Sequence, residues 1–309
     1  MNRVCAIIVT YRMQYEKIMP LMHALQIQVG KIYLVDNNEK EGKYANQDFN
    51  DNSLKCRIVR NGNNYGLAKA LNQGIRAAIA DGFNYFFLLD QDSLTTKNTV
   101  NTLLNSMISL EVSGEKVAAV GCSVFECNRK EYLPFLRFTK TGVKKINADT
   151  IANPFKVPVD FLITSGTLVS ASAIKKTGFM DEILFVDNVD LEWCFRAKRL
   201  GFDLYGVPEA VILHRLGENI RRIPFSKRFV LIHAPIRQYY IMRNRLWLYR
   251  RSYVPFYWKV YDFPRLVFKV IFYLLMVKPV KEYAKMMFRG AVHGIFSRLG
   301  FRGKKDCFQ

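Results

Sequence analysis

The chain has 309 residues, half of them apolar, and a formal net charge of +20. That length suits one large α/β domain with a smaller appendage, and 23 Phe, 16 Tyr and 3 Trp exclude a disordered chain, because so much aromatic surface is costly to leave in water. The charge is unevenly placed: residues 1–220 carry 26 Lys or Arg against 23 Asp or Glu, whereas residues 221–309 carry 20 against 3.

In chain order, Val4 to Thr10 is a nearly continuous apolar run, as expected of a strand buried on both faces, and Ile18, Leu21, Met22 and Leu25 then recur at helical spacing. Lys31 to Val35 reads as a second strand that ends at Asp36-Asn37-Asn38, and Cys56 to Val59 as a third. Leu67, Leu71, Ile75 and Ile79 mark the next helix, and Tyr85 to Leu89 the next buried strand. Residues 98 to 110 suit a helix and Val117 to Phe125 a strand, while Cys127 to Pro158 is expected to be irregular. Order resumes at Phe161 to Val169. A helix from near Ser172 to Gly178, another from Asp190 to near Gly201, and a strand Ala210 to Leu213 that delivers His214 complete the series. Strands alternating with helices predict a mostly parallel sheet flanked by helices, with ligands beyond the carboxyl ends of the strands. Thr10-Tyr11-Arg12, Asp36-Asn37-Asn38 and Asp90-Gln91-Asp92 each terminate an apolar run, so the topology gathers them on one edge, where a nucleotide cleft fits. No G-x-G-x-x-G follows the first strand, which argues against a NAD or FAD enzyme. The six cysteines form no CxxC pair and fit small apolar filler in a reducing compartment. The start, MNRVCAIIVTY, lacks the longer apolar stretch of a secretory signal, so folding in the cytoplasm is expected.

Asp90 and Asp92, one residue apart at a strand terminus, can address different parts of one ligand: a ribose hydroxyl, and a divalent ion bridging phosphates. Mg²⁺ and Mn²⁺ favour such oxygen donors. His214, directly after another apolar strand, either joins the same ion, bonds the diphosphate, or serves as a structural donor. Lys69, Arg215 and Arg243 are candidate phosphate partners, or else solvent-facing charge. Asp190, at the start of a helix, is either a general base or a helix cap, and Glu192 lies beside it.

Several ordered motifs share these positions: Ala6-Ile7-Ile8-Val9-Thr10-Tyr11, Val35-Asp36-Asn37, Asn64-Tyr65-Gly66-Leu67-Ala68-Lys69, Leu88-Leu89-Asp90-Gln91-Asp92-Ser93, Thr164-Ser165-Gly166, Val189-Asp190-Leu191-Glu192-Trp193-Cys194-Phe195-Arg196-Ala197, His214, and Tyr239-Tyr240-Ile241-Met242-Arg243-Asn244. Together they span roughly residues 4 to 244, and the chain resembles family 2 glycosyltransferases of GT-A fold, in particular the bacterial rhamnosyltransferases of O-antigen and other surface polysaccharides. The resemblance implies a nucleotide site that includes Thr10, Tyr11, Asp36 on the base, Lys69, Asp90 on the ribose and Arg243. It also implies a diphosphate-metal role for Asp92, to which the position of His214 adds a candidate second ligand, and Asp190 as the base of an inverting transfer. Where the family usually has Glu-Asp-x-Asp, this chain has Val189-Asp190-Leu191-Glu192, so Glu192 is a longer acid than usual and Asp187 a second nearby carboxylate. The implied donor is dTDP-L-rhamnose, with UDP-linked hexoses open, since Asp36 suits a thymine or a uracil edge alike. The implied acceptor is a lipid diphosphate-linked glycan.

Residues 221–309 mix cations with large apolar side chains. Residues 236–251 read as a helix with both kinds of surface. The run Leu266 to Val277, interrupted only by Lys269, is shorter than the roughly 20 residues that cross a bilayer. The expectation is a helical, basic region lying in an anionic membrane interface, at the cytoplasmic face of the bacterial inner membrane. A nucleic-acid-binding protein is the alternative from another class, but no compact nucleic-acid motif is present and the paired carboxylates would repel a polyanion. Nucleotidyl transfer, a second enzymatic alternative, leaves Asp190 without a role.

Overall fold

The computed structural model describes residues 3–41, 54–148, 156–214, 220–222 and 229–296. Four parallel strands form its first half: β1 (Val4–Thr10), β2 (Lys31–Asp36), β3 (Cys56–Arg60) and β4 (Tyr85–Asp90). All seven residues of β1 are buried, with both neighbours parallel to it, which is why the strand reads as an unbroken apolar run. Its side chains alternate between two cores. Val4, Ala6 and Ile8 meet α1 (Tyr15–Gln26) and α3 (Thr99–Val112) through Ile18, Met22 and Leu103. Cys5, Ile7 and Val9 share the other core with Ala68, Leu71 and Ile75 of α2 (Leu67–Ala80) and with Trp193 and Phe195 of α5 (Val189–Arg199). Helices therefore cover both faces. The register pairs Thr10 with Asp36 and Val9 with Asp90, so the polar strand ends fall in one row.

The expected mostly parallel sheet is parallel only in part. Its order is β10-β12-β6-β11-β4-β1-β2-β3, with β6 (Val117–Glu126) and β12 (Asp203–His214) parallel to each other. Between the two parallel blocks runs β11 (Thr167–Ser170), antiparallel to both β4 and β6, and β10 (Val157–Val159) is antiparallel to β12 at the edge. The sheet is mixed, and β11 leads away from the edge on which β4 ends. Two-residue strands β5 (Leu94–Thr95) and β7 (Glu131–Tyr132) pair with β12 and β6. The helix expected after Ser172 is α4 (Ala171–Thr177), capped by the Ser170 hydroxyl. The segment expected to be irregular contains an antiparallel hairpin, β8 (Phe135–Thr139) and β9 (Gly142–Ile146), turned at Lys140-Thr141.

Beyond a short pair, β13 (Ile220–Arg222) with β14 (Phe229–Leu231), three helices follow: α6 (Pro235–Tyr249), α7 (Phe256–Met276) and α8 (Val280–Ile295). Trp247 and Leu248 of α6 and Trp258 of α7 belong to the same core as α5. Met242, Leu266, Tyr273, Tyr283 and Met287 pack the three helices on one another. The apolar run seen in sequence is the second half of a longer helix. Among the described residues no helix is long and apolar enough to cross a membrane.

Gly166, at the entry to β11, has a φ of +87°, and a Cβ there would lie 2.7 Å from Ile212 Cδ1. Both the backbone and the packing require glycine. Gly166→Ala is expected to lower stability by about 1–3 kcal/mol in urea unfolding.

Candidate active site

The carboxyl ends of β1, β2 and β4 build one wall. Asp36, buried, accepts from the Asn38 backbone N–H at 3.1 Å and from Asn38 Nδ2 at 2.8 Å, with the Tyr15 hydroxyl donating to its other oxygen at 3.4 Å. Thr10 is buried beside it. Asn37 Oδ1 accepts from Asn61 Nδ2 and the Tyr65 N–H, while its Nδ2 donates to Asn64 Oδ1 at 2.9 Å, which fixes the turn ahead of α2. That turn places Lys69 with its Nζ over the Tyr65 ring, 4.2 Å from the centroid. Tyr11 is held by Gln91: its N–H donates to Gln91 Oε1 at 2.8 Å, and its carbonyl accepts from Gln91 Nε2 at 3.2 Å. The expected nucleotide-side residues Thr10, Tyr11, Asp36 and Asp90 thus lie along one sheet edge.

Asp90, Asp92 and His214 bring one ligand atom each within 4.8 Å of one another, although β12 reaches this edge more than 120 residues after β4. His214 Nδ1 lies 3.5 Å from Asp92 Oδ1 and 2.9 Å from Ser93 Oγ. Ser93 Oγ in turn is 2.6 Å from Ser165 Oγ, which accepts from the Asp90 N–H at 3.1 Å. Desolvation, together with the negative charge of Asp92, raises the Asp90 pKa against the lowering effect of His214. Two carboxylates and an imidazole, one carboxylate carrying this desolvation penalty, form a donor set that fits a divalent cation of the Mn²⁺ or Mg²⁺ kind.

Asp190 faces the same seam. The helix cap is Asn188, not Asp190, which lies inside the first turn of α5. Its Oδ1 accepts from the Leu191 N–H at 2.8 Å and its Oδ2 from the Thr164 N–H at 3.3 Å. Burial lifts its pKa to about 6, with Asp90 and Asp187 adding to the rise. Glu192, the other acid of the motif, is buried and held by Arg196 Nε and the Tyr253 hydroxyl, both at 2.8 Å. It anchors the helix. Asp187 is paired with Arg237, whose Nε and Nη2 donate to it at 3.0–3.1 Å.

Arg243 does not stand where a phosphate partner would. It is fully buried, its Nη2 donates to the carbonyls of Ile183 and Leu184 at 2.9 Å, and its guanidinium packs on Tyr240. Asn244 Nδ2 donates to the carbonyls of Leu184, Val186 and Asp187. The pair grips a stretch in which Phe185, Asp187 and Asn188 all have φ near +60°, at 63°, 61° and 61°. Such backbone persists only where its surroundings over-determine it. Charge in sequence suggested a ligand-facing arginine; its burial could not be read there. Arg237 and the desolvated Lys269, whose pKa falls to about 8, carry positive charge near Asp187; in sequence Arg237 had no assigned role and Lys269 was only the interruption of an apolar run. Arg215 lies outside the described residues. In sequence Gln91 and Ser93 were visible only as neighbours of the acids, and Ser165 only as the middle of the Thr164-Ser165-Gly166 motif, with no role attached.

Residues 5–178, more than half of the chain, match the family described as glycosyl transferase family 2. The chain belongs to that family. Over 298 residues this glycosyltransferase is 30% identical to a dTDP-rhamnosyl transferase, RfbF, of Shigella flexneri, with 95% of this chain and 96% of the relative covered. Its fold is similar to that of S. aureus TarS 1-349 in complex with UDP-GlcNAc, at a TM-score of 0.59 and 13% identity, covering 96% of this chain and 82% of that one. It is also similar to GalNAc-T7 with UDP, GalNAc and Mn²⁺, at a TM-score of 0.52 and 14% identity over 70% of this chain, which spans 44% of that longer protein. The family 2 chain is therefore an α/β, GT-A-like glycosyltransferase with Asp90, Asp92 and His214 as its candidate metal cluster.

Removing one carboxylate from that cluster should weaken the site without unfolding it, since Asp92 is partly exposed. Asp92→Ala is expected to raise the Mn²⁺ dissociation constant at least tenfold in EPR titration, about 1.4 kcal/mol or more. Arg243→Met should cost about 2–4 kcal/mol in denaturant unfolding, because it strands buried carbonyls, and should lower kcat more than it raises the donor KM.

Proposed function

We propose that this family 2 enzyme performs an inverting transfer of L-rhamnose from dTDP-L-rhamnose to a lipid-linked surface glycan. The observation that carries the mechanism is the turn Thr164-Ser165, which holds the Asp190 carboxylate through one residue and the Asp90 end of the metal cluster through the next. Base and leaving-group chemistry thereby share one seam. The donor is inferred from the name of the 30% identical relative, which covers nearly the whole chain. Asp36, with Thr10 and Tyr11, suits the pyrimidine and its sugar, so a UDP-linked hexose would use the same wall.

In this reading an acceptor hydroxyl lies against Asp190. Each carboxylate oxygen accepts one N–H and keeps a lone pair for the incoming proton. As the hydroxyl oxygen attacks the anomeric carbon, Asp190 takes its proton, the bond from carbon to the diphosphate breaks opposite the attack, and dTDP departs. A divalent cation bound by Asp90, Asp92 and His214 would supply positive charge against that diphosphate. Lys69 and Arg237 add fixed cations, and the Gln91 clamp keeps Tyr11 in place beside the nucleotide.

Work at the cytoplasmic face of an anionic inner membrane is supported by α7, on which Phe256, Val260, Phe263, Val267, Phe268, Ile271 and Leu275 are exposed, and by the +17 net charge of residues 221–309. Large apolar side chains among cations suit a peripheral, interfacial attachment.

Asp190→Asn should keep donor binding and lower kcat by roughly 10²- to 10⁴-fold, the usual contribution of a general base. The active form is the carboxylate, so a pKa lifted to about 6 moves the acid limb of the wild-type pH–rate profile up from the ordinary Asp range. Activity should be level above that pH and fall about tenfold per unit below it. Normal turnover by a folded Asp190→Asn protein, or an acid limb that stays near pH 4, would remove Asp190 as the base.

A further inference from the structure

A cleft lies between the β8–β9 hairpin, the turn after β6 and the first half of α7, with a volume of about 1700 Å³ and none of Asp90, Asp92 or Asp190 in its lining. Among the described residues its lining is cationic and aromatic: Arg129, Lys140, Lys145 and Arg265, with Tyr257 and Tyr261, against the single acid Glu131. Glu131 lies 3.5 Å from Arg129, and Arg265 stacks over the Tyr261 ring at 4.3 Å. Even after that pairing, three cations face the space, so the occupant is anionic.

Two further observations narrow its chemistry. Phe256, Val260 and Pro264 of the cleft wall begin a stripe that continues through Val267, Ile271 and Leu275 at helical spacing, all of them exposed. At 1.5 Å per residue, that stripe runs for roughly 28 Å. An inorganic anion or a nucleic acid would leave it in water. An amphiphile with a phosphorylated head and a long apolar chain satisfies both parts. The cleft also abuts the catalytic edge: Glu126 is the register partner of His214, the Cys127 N–H donates to the His214 carbonyl at 3.0 Å, and Asn128 and Arg129 of the rim follow directly.

We infer that this cleft seats the phosphate or diphosphate head of the lipid that carries the acceptor glycan, with the lipid chain laid along α7. The inference rests on the reading of the chain as a transferase with a lipid-borne acceptor, and adds where that lipid is held. The hairpin then serves as one jaw of an acceptor site, and the cations select a charged carrier over a free oligosaccharide.

The test uses farnesyl diphosphate as a soluble probe, titrated calorimetrically into the full chain with Mg²⁺ and saturating dTDP, so that the donor wall is filled. Farnesyl diphosphate is expected to bind at least tenfold more tightly than farnesol or inorganic diphosphate. The triple variant Lys140→Glu, Lys145→Glu, Arg265→Glu should weaken it at least tenfold while dTDP affinity stays within twofold. If the variant fails to fold, hydrogen exchange of the wild type decides: protection by the probe of both residues 139–146 and 256–265 supports the site, and its absence overturns it. Equal binding by wild type and a folded variant would also overturn it. So would inorganic diphosphate binding as tightly as the lipid, or a variant that loses only its hold on phosphatidylglycerol vesicles. Failure of dTDP to bind the wild type would count instead against the donor reading.

Discussion

Ser165 Oγ accepts the backbone N–H of Asp90, and the neighbouring backbone N–H of Thr164 donates to Asp190. One turn therefore sets the spacing between acids that lie 100 residues apart in the chain. It can do so because β11 runs antiparallel to β4, which brings the turn ahead of β11 to the edge where β4 ends. With a parallel strand in that place, the carboxyl end of β4 would face the end of the strand and not the turn before it. The buried hydroxyl pair Ser93 and Ser165, continued to His214, extends the same support to the third member of the metal cluster. Positions fixed in this way need no large rearrangement when charge develops, which is the condition under which hydrogen-bonded acids act efficiently.

The helices after β14 take part in that arrangement. α6 supplies Arg243 and Asn244, which together hold the carbonyls of four residues from Ile183 to Asp187. The stretch so held leads into α5 and thus fixes where Asp190 stands. Arg243 is a buried cation whose positive charge faces carbonyl dipoles and two tyrosine rings, an arrangement suited to a weakly hydrated guanidinium. The outer helices differ in character: α7 buries Trp258 and Tyr273 on one side and shows phenylalanine, valine and leucine on the other.

Much of the nucleotide half was legible in sequence because parallel strands buried on both faces read as apolar runs, and the polar residues that end them mark one edge. Asp90-Gln91-Asp92 and His214 could be placed for that reason, whereas Asp190 was read from the start of a helix and from the family motif around it. The direction of β11 could not, since a short apolar run carries no sign of orientation. The β8–β9 hairpin was hidden by its composition: only Phe135 and Phe138 of β8 are buried, and no residue of β9 is, so the alternation that identifies a strand is weak. Arg243 and Glu192 show a further limit. Charge type can be read from the sequence, but whether a charged side chain meets a ligand or another part of the chain depends on contacts made across 60 residues, as with Tyr253 on Glu192.

In the motif Gln91 only separates two acids, yet its carboxamide offers one acceptor and one donor to the two main-chain groups of Tyr11. A glutamate of the same length would turn an oxygen toward the Tyr11 carbonyl and add a third negative charge beside Asp90 and Asp92; a leucine would leave both main-chain groups without partners. The middle position of the triplet is thus tied to the loop after β1 and not to the ion. Relatives that differ at this position should carry a matching change in how that loop is closed, so the two sites can be expected to drift together over evolutionary time.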